Sequence, residues 1–483
     1  FNEKNIYRWI IASLNYTKKI QHADGSFDEF YPNEKGRAVT AIIAYDIIST
    51  YMQLKDELTK DEKDGFRAVL DKSFHYIQSL PPLEEGVLAN HIAMIMCFLI
   101  LYYHEFSEDD ALKKYEEYKR SLLQNYSNEG WFNEYDGIDP GYLTTTISFI
   151  AKFWKYYPDQ DLLPYIESAI KLTSDIICPD GSFGGSIGSR QTVHFYPHGY
   201  EVFGRYFPLA HSCADRMLLS LSDGNLVPPE IQSDRYIYYR IEEFLLSYID
   251  YNKRKQDLPL LTYEKKLYHK SYHEAGLFVK KEGNFFILIN FKKGGVIKLY
   301  NKNELLVNDC GVNLVAKNGK AYSSQWMNDI SIDDISENDS TDISVSGIMT
   351  PLPYKYFNPI TMFIFKFVMI LFGFNKKMAS LLKTYIRKKL ILKKNKKFNS
   401  SIFYKRHLKI ENTGLTIHTF LKSDVNITSG QLGGELHIRF VPQSKYFQYN
   451  DLKSDEIIMN ESAIDQINNS GQWEHIQKID FLK

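Results

Sequence analysis

The sequence has little of what would identify a disulfide-bonded, metal-binding or highly charged protein. Its 483 residues include only four cysteines, at positions 97, 178, 213 and 310, and these have neither CxxC nor metal-site spacing. Their scatter predicts free buried thiols rather than a disulfide framework, and it favours a reducing compartment such as the cytoplasm. We expect no metal and no cofactor. The formal net charge is only −1, so the overall charge gives no indication of nucleic acid as a partner.

Tryptophan is also scarce, whereas other aromatic residues are abundant. Five tryptophans stand against 35 tyrosines and 31 phenylalanines. Aromatic side chains beyond those that a core needs often line carbohydrate clefts, because the C–H faces of sugars stack on the rings. A compositional bias that also enriches Lys, Asn and Ile explains the same numbers. The length is too great for one hydrophobic core and predicts two domains or three small ones.

Residues 1–250 carry the apolar periodicity of α-helices, for example over 38–52, 89–103 and 144–157. A short loop recurs between pairs of these helices: Asp24-Gly25-Ser26-Phe27, Glu129-Gly130-Trp131-Phe132 and Asp180-Gly181-Ser182-Phe183. Repeated helical hairpins predict an incomplete (α/α) toroid whose equivalent loops lie at one end. An open α-solenoid is the alternative, although its repeats would be more even in length.

After about residue 260 the apolar pattern changes to the period of two that is typical of β-strands. Examples are the segments 275–279, 285–289, 296–300 and 415–420, which are bounded by Gly, Asn and Lys. We expect an antiparallel β-sandwich over residues 260–483, joined to the helical part by the polar stretch near 251–259. The predicted fold class is therefore multidomain α+β.

One segment, at about 351–400, fits neither pattern. After an acidic loop that includes Asp329 and Asp342, an apolar run extends from Pro359 to Phe374 and is interrupted only by Lys366. A basic stretch without acidic residues follows, up to Lys397. The apolar run is short for a bilayer span, but the combination suits a hairpin that lies on an anionic membrane, such as the inner face of the cytoplasmic membrane. The alternative is a helix that packs on the sandwich, and a periplasmic location stays open.

Polar and aromatic residues that could carry chemistry concentrate in three places. The loop 129–146 places Tyr142 directly after Pro140-Gly141, at the expected first turn of a helix. Asn90-His91 opens an apolar helix one hairpin earlier. The densest cluster covers residues 185–201, where glycines precede Arg190 and two histidines, His194 and His198. Arginine pairs bidentately with carboxylates, and histidine titrates near neutral pH.

The Tyr142 loop and the Asn90-His91 pair resemble those of the heparinase II/III-like, polysaccharide-lyase-like family. In that family an aromatic, acidic, glycine-containing segment precedes the catalytic tyrosine, and an Asn-His pair binds the substrate carboxylate. The resemblance implies β-elimination at a uronate, for which an enzyme must neutralise the carboxylate, stabilise enolate-like charge and supply a base. It departs from the family at residues 290–295, where lysines stand in place of an expected histidine.

On this reading, the resemblance together with the residue types of the polar clusters gives each residue an expected role. Asn90, His91 and Arg190 would hold the carboxylate, while Tyr142 would act as base, as acid, or as both. The expected catalytic residues are Tyr142, His198 and His91. The expected substrate-binding residues are Asn90, Arg190, Gln191, His194, Glu201, Tyr31 and Glu134.

Two other functions remain open from the sequence. A glycoside hydrolase would need two carboxylates across the cleft, for which Asp28 or Glu29 could pair with Glu134, Asp139 or Glu201. A non-catalytic, membrane-associated glycan-binding protein of polysaccharide biosynthesis would keep the aromatic cleft and the basic hairpin and would lose the base. The expected partner is an acidic polysaccharide or a lipid-linked glycan.

Overall fold

The computed structural model describes residues 3–29, 31–82, 88–135, 137–227, 234–254, 257–337, 341–352, 358–372, 378, 381, 402–411, 413–434 and 456–481. For residues 234–239, 333–337 and 372 it describes the backbone alone.

The first part of the chain is helical. The described helices up to residue 250 are α1 (Glu3–Ile20), α2 (Arg37–Leu54), α3 (Lys60–Gln78), α4 (Ala89–Phe106), α5 (Asp109–Gln124), α6 (Pro140–Trp154), α7 (Leu163–Ile176), α8 (His198–Phe203), α9 (Pro208–Ser222) and α10 (Asp234–Ile249). A small hairpin precedes α6, with two strands of two residues each, β1 (Tyr126–Ser127) and β2 (Trp131–Phe132). These bounds agree with the helices expected from the apolar periodicity.

The helices form an inner and an outer row. In the inner row α2 contacts α4, α4 contacts α6, and α6 contacts α8. Every residue from Ile95 to Tyr102 of α4 and from Leu143 to Trp154 of α6 is buried. Outer helices bury one face only, as in α5, where Ala111, Tyr115, Tyr118 and Leu122 recur at helical spacing. Helices that are apolar all round must be covered on all sides, so these sequences determine which row is inside.

The second part consists of two antiparallel sheets. The five-stranded sheet is a meander of β3 (Leu267–Tyr272), β4 (Leu277–Glu282), β5 (Phe285–Asn290), β6 (Val296–Asn301) and β7 (Glu304–Asp309). The eight-stranded sheet contains β8 (Val312–Ala316), β9 (Ala321–Glu337), β10 (Thr341–Pro351), β11 (Ile402–Glu411), β12 (Gly414–Ser423), β13 (Ile427–Leu432), β14 (Ile457–Ile458) and β15 (Gln472–Asp480). Its strand order is β14-β13-β8-β9-β10-β11-β12-β15.

The five-stranded sheet lies between the helices and the eight-stranded sheet. On β5, Phe286 and Leu288 belong to the core that the sheet shares with the helices, whereas Ile287 and Ile289 belong to the core between the two sheets. Successive side chains of a strand point to opposite faces, so a strand that is buried on both faces needs the unbroken apolar run seen here. The α+β class predicted from the sequence is confirmed.

The acidic segment before Pro351 is not the expected loop. Residues 321–337 and 341–351 form the paired strands β9 and β10. Ile330 and Ile332 alternate with polar residues on β9, and Ile343 and Val345 do so on β10. This alternation has the period of a strand. Among the acidic side chains that the structure describes, Asp329 is exposed and Asp342 half-buried, and both are out of step with the apolar residues.

Two elements complete the described fold. The helix α11 (Pro359–Phe372) is inserted between β10 and β11, and α12 (Glu461–Ser470) precedes β15. Most of the basic stretch after α11 lies outside the described residues. All four cysteines are free and buried. Across the described ranges, no helix combines the length and apolarity that crossing a membrane requires.

Candidate functional site

The three repeated loops share one local conformation. Gly25, Gly130 and Gly181 have φ values of 89°, 98° and 86°, which belong to the left-handed region that favours glycine. A Cβ at these positions would collide with Lys72 of α3, Ser168 of α7 and Ser220 of α9, respectively. Each loop therefore packs closely against an outer helix, and this contact requires the glycine.

A buried carboxylate joins the start of α4 to the loop before α6. Glu134 is fully buried and accepts hydrogen bonds from the backbone N–H of Asn90 at 2.7 Å and from its Nδ2 at 2.9 Å to each carboxylate oxygen. Burial raises the pKa of Glu134 to about 8, although the hydrogen bonds from Asn90 act in the opposite direction. Glu134 thus fixes the Asn90-His91 turn relative to the loop that leads to Tyr142.

A second buried carboxylate organises the start of α6. Asp139 caps the helix by accepting the N–H of Tyr142 at 3.2 Å, with Pro140 in the first turn. It also accepts the backbone N–H of Arg190 at 2.9 Å and the hydroxyl of Thr192. Burial raises the pKa of Asp139, and these donors lower it. The single side chain therefore holds the loop 188–192 against the helix start that carries Tyr142.

Arg190 and Tyr142 both lie close to a third residue, Tyr135. The Arg190 guanidinium carbon is 4.1 Å from the centre of the Tyr135 ring, a distance typical of a cation–π contact. The centre of the Tyr142 ring is 6.5 Å from that of Tyr135. Arg190 and Tyr142 are thus held within about 11 Å of each other, a distance that one or two sugar units can bridge.

Tyr135 was missed by the sequence reasoning. Its φ of 64° is rare for a residue other than glycine. This conformation indicates that the surrounding loop is constrained. The signal in the sequence was the turn composition Tyr135-Asp136-Gly137, which indicates a tight turn but not that the ring meets Arg190.

The remaining residues expected near Asn90 and Arg190 occupy different surroundings. His91 is half-buried in the first turn of α4, and His194 is buried in the loop after Arg190. The Gln191 amide donates to Gln325 of β9 at 3.0 Å, so Gln191 connects the loop to the eight-stranded sheet. Tyr31 is half-buried, and its ring meets Phe365 of α11 edge-on at 5.4 Å.

His198 lies away from the start of α6. Its Nε2 is 2.8 Å from Asp250 Oδ2, and this hydrogen bond keeps the pKa of Asp250 below its ordinary value. His198 lines a cavity of about 310 Å³ together with Lys152 in the last turns of α6. Lys152 is about 15 Å farther along the helix axis than Tyr142. The structure therefore does not bring His198 together with Tyr142 and Arg190.

Glu201 is engaged in an ion-pair cluster of its own. Its two carboxylate oxygens accept from Arg254 at 2.6 and 2.7 Å, and Arg254 also binds Asp215 at 2.7 Å. Bidentate pairs of this kind are strong and geometrically defined. Glu201 thus holds α8 to the segment after α10, and its charge is already neutralised.

The carboxylates considered for hydrolysis are mostly engaged in internal bonds. Asp28 accepts the backbone N–H groups of Asn33 and Lys35 at 2.8 and 2.9 Å and lies 2.9 Å from His22. Glu134 and Asp139 are fully buried, and Glu201 is paired as described. Among the described residues no group of three or more His, Cys, Asp or Glu side chains could hold a metal ion.

The turn over residues 290–295, where the sequence has lysines, also contacts the loop that carries Arg190. Asn290, at the end of β5, donates to the backbone oxygen of Ile187 at 2.7 Å. Ile187 precedes Arg190 by three residues in the loop. The five-stranded sheet therefore binds the loop through the Asn290 amide. The eight-stranded sheet binds it through the contact between Gln325 and Gln191.

Comparisons with known proteins place the fold among polysaccharide lyases. No protein-family model matches the sequence, and no curated protein matches it either. A chondroitin AC lyase from Streptomyces coelicolor A3, solved in complex with chondroitin sulphate, has a TM-score of 0.50 and 8% identity, over 88% of this chain and 59% of its own. This likeness shows a polysaccharide-lyase-like fold.

Two further solved structures are similar at lower TM-scores. A xanthan lyase from Paenibacillus has a TM-score of 0.48 and 11% identity, over 88% of this chain and 40% of its own. A heparinase III gene product has a TM-score of 0.43 and 12% identity, over 81% of this chain and 55% of its own. The chain thus spans between 40% and 59% of the length of the three proteins.

Proposed function

We propose that the chain is a carbohydrate-active protein of the heparinase II/III-like kind, which cleaves a uronate-containing polysaccharide by β-elimination. In this proposal the inner and outer helices form an incomplete (α/α) toroid, and the two sheets form the β-sandwich. The observation that carries it is the arrangement of Tyr142, Arg190 and the Asn90-His91 turn around two buried carboxylates.

In the proposed reaction, Arg190 pairs with the uronate carboxylate and neutralises its negative charge. Asn90 and His91 lie at the start of α4, where the helix dipole also favours an anion. The ionised Tyr142 oxygen removes the proton from the carbon next to the carboxylate, and the electron pair moves into the carboxylate as enolate-like charge. The pair then forms a carbon–carbon double bond as the glycosidic C–O bond breaks, and the leaving oxygen takes up a proton from Tyr142 or from water.

Glu134 and Asp139 act as positioning residues in this account. Neither touches the substrate, since both are fully buried. Glu134 orients Asn90, and Asp139 holds both the Tyr142 turn and the backbone of Arg190. Such support is what keeps catalytic side chains in a productive geometry. His198 and Glu201 have no role in the proposed step, because their partners are Asp250 and Arg254.

A hydrolase is the second candidate, and the internal bonds of its carboxylates count against it. A general acid and a base must both reach the glycosidic bond, whereas Glu134, Asp139 and Glu201 are buried or paired. A non-catalytic glycan-binding protein would retain Arg190 and the aromatic side chains.

The experiment is to incubate the protein with a panel of uronate-containing and neutral polysaccharides. We expect an ultraviolet-absorbing product from at least one uronate polymer, because elimination leaves a double bond conjugated with the carboxylate. New reducing ends without absorbance would assign the hydrolase, and binding without either product would assign the non-catalytic role.

A further inference from the structure

The helix α11 presents an apolar stripe to its surroundings. The stripe consists of Ile360, Phe363, Ile364, Phe367, Ile370 and Leu371, whose exposed fractions lie between 43% and 71%. Their spacing of three, four and seven residues places them within roughly a third of the helix circumference. A continuous exposed apolar surface of this kind marks an interaction site.

The opposite side of the same helix holds it to the protein. Met369 is buried, and Phe365 meets the ring of Tyr31 in the loop before α2. The stripe therefore faces away from the protein core. Its six side chains are exposed although the helix packs against the rest of the protein. Phe363 and Phe367 stack on each other with their rings 6.5 Å apart, so neighbouring side chains of the stripe form one surface.

The sequence directly after α11 is strongly basic. Ten of the residues between 376 and 397 are Lys or Arg, and none is Asp or Glu. Lys376 and Lys377 follow Phe372 so closely that the chain allows them to be at most about 18 Å away from it. Positive charge is thus tethered to the end of the apolar stripe, whatever path the chain takes.

We propose that α11 is a docking surface for an anionic membrane, to which the positive charge of the sequence that follows it adds. The apolar stripe enters the boundary between headgroups and acyl chains, and the lysines attract the anionic headgroups. The helix has 14 residues and is about 21 Å long, which is too short to span the hydrocarbon core of about 30 Å. It therefore lies in the plane of the interface.

Two other occupants fit the observations less well. A second copy of the chain would bring two identical basic stretches together in a twofold dimer, because such an interface uses the same patch on both subunits. A glycan chain would need hydrogen-bonding partners, and the six side chains of the stripe have none.

The position of the helix connects docking with the candidate site. Tyr31 lies in the loop that leads into α2, whose neighbour in the inner row is α4, the helix that begins with Asn90. If the proposed function holds, on which this step rests, the substrate is an acidic glycan that is attached to or grows from the membrane surface.

The test measures binding to lipid vesicles without any glycan, so that it does not depend on the lyase reaction. Full-length protein is sedimented with vesicles of neutral lipid alone and with vesicles that also contain an anionic phospholipid. We expect binding to the anionic vesicles at low salt, at least tenfold weaker binding to the neutral ones, and a loss of binding as salt is raised.

Two variants separate the apolar from the electrostatic contribution. Phe363→Asp with Phe367→Asp should weaken binding to anionic vesicles at least tenfold. The salt dependence of binding to anionic vesicles should decrease when four lysines are replaced together: Lys393→Gln, Lys394→Gln, Lys396→Gln and Lys397→Gln. The matched control is Ile458→Asp with Ile476→Asp, which adds the same charge at exposed apolar positions of β14 and β15 and should change binding less than twofold. Thermal unfolding of each variant verifies folding.

Several results would overturn the proposal. These are equal binding to neutral and anionic vesicles, binding that survives the double Phe substitution, and a dimer in the absence of lipid that dissociates on that substitution. If the vesicles bind as expected but no polysaccharide is cleaved, the docking surface stands and the proposed function fails.

Discussion

Replacing Glu134 by Gln should change the pH dependence of stability. Burial raises the pKa of Glu134 from its ordinary value of 4.5 to about 8 in the folded protein. The folded state therefore binds more protons than the unfolded state between these values, and the free energy of unfolding should fall as the pH rises from about 4.5 to about 8. At about 1.4 kcal/mol for each pKa unit, the ionised form costs on the order of 5 kcal/mol at most.

Glu134→Gln removes this charge and keeps an oxygen that can accept from Asn90. We compare the free energy of unfolding of the variant with that of the wild type at two pH values. Relative to the wild type, the variant should be more stable at about pH 9 than at about pH 5, by a few kcal/mol. Urea titrations at both pH values measure it. The control Glu167→Gln changes an exposed carboxylate on α7 and should leave the pH dependence unaltered. The same pH dependence in Glu134→Gln and wild type would refute the reasoning.

Three other substitutions test separate parts of the account. Arg190→Ala should weaken binding of acidic glycans by about 10- to 100-fold, since it removes a charged hydrogen-bond donor, and calorimetric titration should show no such loss for neutral glycans. His198→Asn should reduce turnover less than tenfold even where it lowers the melting temperature; a loss as large as that of Tyr142→Phe would return His198 to the reaction. Arg406→Met should destabilise the fold by about 3–5 kcal/mol, because it leaves Asp309 of β7 as a buried charge without its partner, and adding Asp309→Leu should recover much of this in urea titrations.

The sequence predicted the parts of the fold that follow from local patterns. The buried runs of α4 and α6 and the alternation in the strands indicate helices and sheets directly, because side-chain burial imposes the period. The recurring glycine loops were also recognisable, since a positive φ and a close approach both require glycine.

Long-range contacts explain what the sequence could not provide. Glu134 looked like a candidate for substrate binding, yet its partner is Asn90, which is 44 residues earlier in the chain, and this pairing depends on how α4 packs on α6. Glu201 and His198 stand in the same polar stretch of the sequence as Arg190, but both lie in α8, and their partners Arg254 and Asp250 follow α10. The sequence of a segment shows how many polar groups it has, but it does not show the direction in which each side chain points.

The contact between Tyr31 and Phe365 is a further example. The two residues are more than 300 positions apart, and no local pattern connects the first loop with the inserted helix. The exposure of the stripe on α11 was an open question in the sequence, because an apolar run of this length is equally typical of a helix that packs on a sheet.

The most direct test of the central claim compares wild type and Tyr142→Phe on the uronate polysaccharide that the panel identifies. Ultraviolet absorbance measures turnover, and calorimetric titration measures glycan binding. Removing a hydroxyl that transfers protons should lower turnover by about 10²- to 10⁴-fold, while affinity and melting temperature change little. Elimination at the wild-type rate in Tyr142→Phe would contradict the account.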